Sequence, residues 1–285
     1  MNEIAEGIIV ETEFEGVNVG VVITDDILIY IDAPTFPRDA RFWSAQIERL
    51  FPGRVRFLIL TDYNGDRILN SRWLQAPLIC HKETAEKING YDKRYPQYLL
   101  DSLRRRNPSA SKELSSSPVD KASLSFDSRI IIHSASFDIF LDSKPGPTSG
   151  NIWVQIPEFR LIFSGDTVVC DQFPPLSEMC SHGWLRTLKE FNAYNSNDYR
   201  VIPGRGSITE PAAAGQMADF IRDMRQAVIK FIETDQPYEK IGEIAGRFMP
   251  MFPRAGLPEE WLAEDITQGL QRIYNECLET DQSQF

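Results

Sequence analysis

Directly after the apolar run Phe57-Leu58-Ile59-Leu60 the chain reads Thr61-Asp62-Tyr63-Asn64-Gly65-Asp66-Arg67. The run has the length of a short buried strand, and the residues from Asp66 onward open a helix. Two carboxylates, an amide and a guanidinium are thus gathered at one strand-to-helix junction. How that junction is used decides most of what a chain like this can be.

The segments around it alternate between strand and helix signals. Gly7 to Phe14, Val17 to Thr24 and Ile27 to Ile31 read as a β-meander, with Asp25-Asp26 as a turn. Pro37 to Phe51 carries Ala40, Trp43, Ile47 and Leu50 at helical spacing and stops at Pro52-Gly53. A short helix is expected from Asp66 to about Leu74, a strand over Pro77 to Cys80 and a helix over Glu83 to Ile88. Between about 104 and 122 the composition turns polar, and this stretch reads as a surface insertion centred on Ser115-Ser116-Ser117-Pro118. The triplet Arg104-Arg105-Arg106 reads as a solvated helix end. Strands resume at Leu124 to Phe126, Ile130 to His133, Phe137 to Leu141, Ile152 to Ile156 and Leu161 to Ser164; Gly165-Asp166 is expected to end the last.

After Arg200-Val201-Ile202 and the loop Pro203-Gly204-Arg205-Gly206 the chain becomes helical, with Pro211 at a first helical position. Met217, Phe220, Ile221, Met224, Val228 and Phe231 form one apolar stripe, and Leu262, Ile266, Leu270, Ile273 and Cys277 another. Met249-Pro250-Met251-Phe252-Pro253 lies between them and reads as a lid or a subunit contact. The order of strands then helices, repeated once, implies an α+β fold of two mixed sheets packed face to face with helices outside.

A formal charge of -11 argues against a nucleic-acid partner. The acidic start Met1-Asn2-Glu3-Ile4-Ala5-Glu6 lacks the features of a secretory signal, and no apolar stretch approaches the ~20 residues a bilayer requires. Cys80, Cys170, Cys180 and Cys277 are scattered, which favours cytoplasmic thiols. Cys170, Cys180 and His182 lack an evident fourth ligand for a metal cluster; His81 and His133 read as structural. No Gly-rich phosphate loop or nucleophile elbow is present, so Ser149 and Ser181 read as bland positions.

Five separated segments, in order and at the right spacing, resemble the signatures of the metallo-β-lactamase superfamily. They are Asn18 to Pro34, Leu60 to Arg67, Gly146 to Asn151, Phe163-Ser164-Gly165-Asp166 and Ile202 to Gly206. The resemblance spans roughly residues 8 to 210. It implies an αββα sandwich over residues 1–210, with residues 211–285 as a C-terminal helical extension packed on the same domain. It also implies a metal site along the open edge between the sheets. The family's His-x-His-x-Asp-His motif falls on Asp62, Asn64, Asp66 and Arg67. Its third-strand histidine falls on Pro147, its bridging aspartate on Asp166 and its last histidine on Arg205. Every imidazole is replaced, whereas both aspartates are kept.

Zinc favours imidazole nitrogen or thiolate, and a catalytic site usually supplies three such protein ligands. Pro147 offers no side-chain donor, and a guanidinium keeps its protons at any relevant pH. Asp62, Asp66 and Asp166 in one cleft would repel one another unless neutralised, which Arg67 and Arg205 can do. The resulting expectation is a protein of hydrolase ancestry that does not hydrolyse, with no metal or other cofactor. Its cleft positions, Asp62, Asn64, Asp66, Arg67, Pro147, Asp166 and Arg205, would bind a small anionic molecule, or the chain would serve a protein partner; a homodimer stays open. The competing expectation is an ester, lactone or phosphodiester hydrolase using a divalent ion on Asp62, Asn64, Asp66 and Asp166.

Overall fold

A computed structural model describes residues 1–114, 118–194 and 198–282. The first sheet is built from β1 (Asn2–Ala5), β2 (Ile8–Glu11), β3 (Val19–Ile23), β4 (Ile27–Ile31), β5 (Val55–Ile59), β6 (Leu78–His81) and β7 (Leu124–Phe126), in that spatial order. β1 to β4 are antiparallel, and β4 to β7 run parallel. The second sheet contains β8 (Arg129–His133), β9 (Asp138–Ser143), β10 (Ile152–Ile156), β11 (Leu161–Val169) and β12 (Arg200–Arg205), ordered β12-β11-β10-β9-β8. Only β11 and β12 are parallel there. Both sheets are therefore mixed.

Period-two alternation distributes the side chains to two faces. In β4, Ile29 and Ile31 face the second sheet and meet Leu141, Ile152, Val154 and Phe163 in a core between the sheets. Leu28 and Tyr30 of the same strand face outward. They are covered by α1 (Pro37–Leu50), α3 (Lys82–Asn89) and α4 (Gln97–Arg106) through Trp43, Ile47, Ile88, Leu100 and Leu103. The four-residue α2 (Gly65–Ile68) lies at the junction after β5. On the far side, Trp153, Ile162 and Val201 of the second sheet pack against α5 (Ser181–Glu190), α6 (Ala214–Glu233) and α7 (Glu259–Gln282). The layers are helices, sheet, sheet, helices: an αββα sandwich.

Several local expectations are corrected. The helix expected from Asp66 to Leu74 breaks after α2, where Asn70 leaves helical geometry (ψ 9°) and its amide donates to the Thr35 carbonyl at 2.7 Å. A separate 3-10 turn covers Ser71–Leu74. β11 does not stop at Gly165-Asp166 but runs on to Val169, crossing the break with Gly165 at φ 54°. The stretch 104–122 is not wholly a surface insertion: Leu114 is buried, and Val119 and Ala122 pack on the first sheet's outer core. Its centre at Ser115-Ser116-Ser117 lies outside the described residues.

The Met249–Pro253 stretch is not a lid. Phe252 is buried against Phe173 and Phe220, at centroid distances of 5.5 and 5.0 Å in edge-on geometry, whereas Met251 is exposed. The helix stripes bury as expected: Met217, Phe220, Ile221, Met224, Val228 and Phe231 of α6, and Leu262, Ile266, Leu270 and Ile273 of α7, share one core with Trp153 and Trp184. Among the described residues no helix is long and apolar enough to cross a membrane.

Phe252→Ala should lower unfolding free energy by about 3–5 kcal/mol in a denaturant titration, and Met251→Ala by no more than about 0.5 kcal/mol. Equal effects at the two positions would contradict this account of the segment.

Candidate functional site

The parallel pairs β4/β5 and β11/β12 all end at the same open edge of the sandwich. Each strand delivers one polar group there: Asp32 after β4, Asp62 after β5, Asp166 within β11 and Arg205 at the end of β12. The register pairs Ile31 with Ile59 and Val169 with Arg205, which brings these four groups together. α2 adds Asp66 and Arg67. Asn18 anchors the arrangement by donating its side-chain amide to the carbonyls of Pro203 (2.9 Å) and Gly206 (2.8 Å).

Arg67 is the hub. Its side chain is fully buried, and so are those of Asp62 and Asp166 beside it. Nε donates to Asp32 Oδ2 at 3.0 Å, and Nη1 donates to Asp166 Oδ2 at 2.7 Å. Nη1 also lies 3.5 Å from Asp62 Oδ1 and 3.8 Å from Asp66 Oδ1. Asp32 is held in turn by the Thr61 amide (2.8 Å) and hydroxyl (2.6 Å). Arg205 binds Asp166 through Nε and Nη2, and its Nη2 reaches Asp66 Oδ2 at 2.6 Å. Arg106, from the end of α4, donates to the same Asp66 oxygen at 3.0 Å.

Gly204 explains how so many groups converge. A Cβ there would collide with Asp166 Oδ1 and lie 2.5 Å from Arg67 Nη2, so only a bare backbone fits. Asn64 stays close to its own loop: its backbone and side-chain amides both donate to the Asp62 carboxylate, at 2.8 and 3.1 Å. Pro147 sits buried in the turn between β9 and β10 and brings no donor.

The electrostatics follow from burial and charge order. Burial opposes ionisation of Asp166 and Asp66, but the surrounding arginines outweigh it and hold both carboxyls below their ordinary range. Asp62 is different. Burial dominates, Arg67 offsets only part of it, and Asp166 and Asp32 add repulsion, so its pKa is pushed up to about 7. Asp32 is shifted upward by burial as well. The guanidiniums of Arg67 and Arg205 are buried too, yet their carboxylate neighbours make them hold their protons more firmly than usual.

A zinc site of the family's type does not fit these residues. Imidazole is absent from every ligand position, and Asp66 and Asp166 are already bonded to guanidiniums that cannot deprotonate. Among the described residues no group of three or more histidine, cysteine or carboxylate side chains is disposed to hold a metal ion. His182 faces the Arg225 guanidinium at 2.9 Å, an unsuitable setting for a ligand.

Two cluster members escaped sequence reasoning. Asp32 ends an apolar strand, and its φ of 58° marks a special position that one-dimensional pattern does not reveal. Arg106 was expected in a solvated triplet; instead it turns inward to Asp66, while Arg104 and Arg105 pair at the surface with Asp101 and Glu264. Helical geometry separates successive residues by about 100°, so neighbours in a triplet face different surroundings.

No family model matches the chain, and no curated protein matches it. Solved structures do. A metallo-beta-lactamase family protein from Thermus thermophilus superposes with a TM-score of 0.68 at 14% identity, covering 96% of this chain and 95% of that one. The chain has the metallo-β-lactamase fold. A metallo-beta-lactamase from Pontibacter korlensis is similar over 78% of this chain and 97% of its own, with a TM-score of 0.62 and 12% identity. A stereoselective inverting sec-alkylsulfatase from a Pseudomonas species is similar over 97% of this chain and 50% of its own, with a TM-score of 0.68 and 10% identity.

Two outcomes test the cluster. Arg67→Met strands buried carboxylates and should cost about 3–5 kcal/mol of stability by chemical denaturation. For pH, unfolded Asp62 loses its proton near 3.8 and folded Asp62 near 7, so the folded state binds more protons between those values. Stability should therefore fall as pH rises through that window, Asp62 alone contributing up to about 1.4 kcal/mol per pH unit. Asp62→Asn should make the decline shallower without abolishing it, since Asp32 and Asp265 shift the same way. An unchanged slope would refute the assignment.

Proposed function

We propose that this chain is a non-hydrolytic member of the metallo-β-lactamase fold that binds a small molecule in the cleft above its charge cluster. One observation carries the reading: guanidiniums neutralise the carboxylates at the sheet edge. Arg67, Arg106 and Arg205 face Asp32, Asp62, Asp66 and Asp166 in a nearly balanced network. With Asp62 carrying a proton for much of the time near neutrality, the balance is closer still.

Metal-assisted hydrolysis draws its nucleophile from bound water of lowered pKa. Here a divalent ion would have to displace at least one buried guanidinium, leaving that charge unpaired in the protein interior. Such an exchange costs several kcal/mol for each ion stranded. The all-oxygen alternative on Asp62, Asn64, Asp66 and Asp166 meets the same obstacle, because Arg67 and Arg205 stand among those oxygens and repel a cation.

What supports binding is the cavity over the cluster. It encloses about 420 Å³, within the range of small-molecule sites. Its lining combines Tyr63, Tyr91, Phe173 and Trp261 with polar groups at the base. The alkylsulfatase and lactamase activities named for similar structures belong to those proteins.

Elemental analysis after incubation with excess zinc or manganese and dialysis should find far less than one ion per chain. Aryl ester, lactone and phosphodiester substrates should stay intact with the same protein. Stoichiometric metal accompanied by cleavage that Asp166→Asn abolishes would establish the hydrolase reading instead.

A further inference from the structure

The three guanidiniums of the cluster are not equivalent. Arg67 is sealed beneath the others, with its Nη2 buried and lacking a hydrogen-bond partner among the described residues. Arg205 grips Asp166 with two nitrogens and Asp66 with one of them. Arg106 has less: its single hydrogen bond among the described residues runs from Nη1 to an Asp66 oxygen already taken by Arg205. An arginine carries five N–H donors, so most of Arg106's remain for another acceptor. Its side chain is only 8% exposed, and it is one of the groups that line the cavity.

The surrounding charges sharpen the contrast. Burial and the adjacent Arg205 both push Arg106's pKa down, and they outweigh the opposing charges of Asp66, Asp166 and Glu15. Arg67 and Arg205 move the other way. Arg106 thus has the least complete counter-charge of the three. Other ionic groups around the cavity are answered locally. Lys87 pairs with Glu178 at 3.2 Å and Arg105 with Glu264 at 2.8 Å. Asp265 accepts the backbone N–H groups of Leu176 and Ser177, at 3.0 and 3.2 Å. Asp66, the carboxylate bonded to Arg106, has its Oδ2 shared by two guanidiniums.

An aromatic wall stands beside this cationic floor. Tyr98 of α4 and Trp261 of α7 both line the cavity, and Trp261 lies 5.9 Å from the Arg106 guanidinium carbon. Tyr98 is more than half exposed, a large ring left open to solvent at the mouth. A charged head on Arg106 would leave the rest of a ligand against these rings.

We propose that the cleft binds an organic anion, a carboxylate or phosphate monoester on a flat apolar body, with its head on Arg106 and its body along Tyr98 and Trp261. A planar guanidinium suits either head, because it can offer two parallel N–H bonds. Arg205 supports the site from behind by keeping Asp66 occupied. The inference rests on the metal-free binding reading above and goes further by naming the ligand class and the residue that recognises it.

Calorimetric titration at neutral pH with 2-naphthoate, 2-naphthyl phosphate, uncharged 2-naphthol and inorganic phosphate tests it. At least one naphthyl anion should bind saturably, about tenfold or more tighter than naphthol, a difference of about 1.4 kcal/mol. The preference between the two anions then identifies the head group. Arg106→Gln should lower anion affinity about tenfold and leave naphthol binding unchanged; Arg106→Lys should fall between. Trp261→Ala should weaken anions and naphthol alike, and it carries the test if Arg106→Gln does not fold. Naphthol binding as tightly as the anions, anion affinity indifferent to Arg106→Gln, or no binding by any probe would overturn the proposal. If any of these occurs in protein that neither takes up zinc nor releases naphthol from the phosphate, only this inference falls. Metal-dependent release of naphthol would instead remove the parent reading.

Discussion

Asp166 sits within a buried strand, enclosed by protein on every side, and two guanidiniums grip it from different segments of the chain. Everything at the sheet edge depends on that neutralisation. An ionised carboxylate buried without a partner would take up a proton or open the fold. Arg67 comes from the junction after β5 and Arg205 from the end of β12, so the ion pairs tie the two sheets together where their strands diverge. A divalent ion would bind the same loops from one point. Guanidiniums do so with directional N–H bonds, which require the receiving oxygens to be placed in advance. Gly204 provides that placement by letting the backbone of β12 come within reach of both partners.

The cluster also contains its own weak point. Four carboxylates meet three guanidiniums, and the surplus falls on Asp62, whose oxygens rest mainly on the amides of Asn64. Burial there outweighs the distant share of Arg67's charge, and the proton is held toward neutrality. A buried network of this kind contributes less to net stability than its number of contacts suggests, because desolvation offsets much of the attraction. Removing one of the guanidiniums, by contrast, would leave buried carboxylates uncompensated. The guanidiniums that neutralise this edge are not equally answered: Arg106, at the cavity lining, shares its one Asp66 oxygen with Arg205.

The strands and the helical stripes could be read directly. The stripe from Met217 to Phe231 anticipates burial because each residue's direction follows from local backbone geometry; in the wholly apolar Ile27 to Ile31, only the structure assigns the faces. Boundaries were less legible. β11 looked complete at Ser164 because Gly165-Asp166 is a turn dipeptide in isolation, yet pairing with β12 carries the strand to Val169. Phe252 in a Pro-rich, irregular segment gave no periodic signal, and its burial depends on Phe173 and Phe220 arriving from elsewhere.

By itself, the amino-acid order determined the αββα plan and that Asp62, Asn64, Asp66, Arg67, Pro147, Asp166 and Arg205 bring no imidazole to the edge. Both follow from residue identity and short-range spacing. Only the tertiary structure decided which charges meet: that Asp32 joins the cluster, that Arg106 turns inward while Arg105 does not, and that Asp62 is left with the weakest counter-charge. Coulombic partnership acts through space across segments as far apart as Asp32 and Arg205, and no periodicity along a chain encodes it.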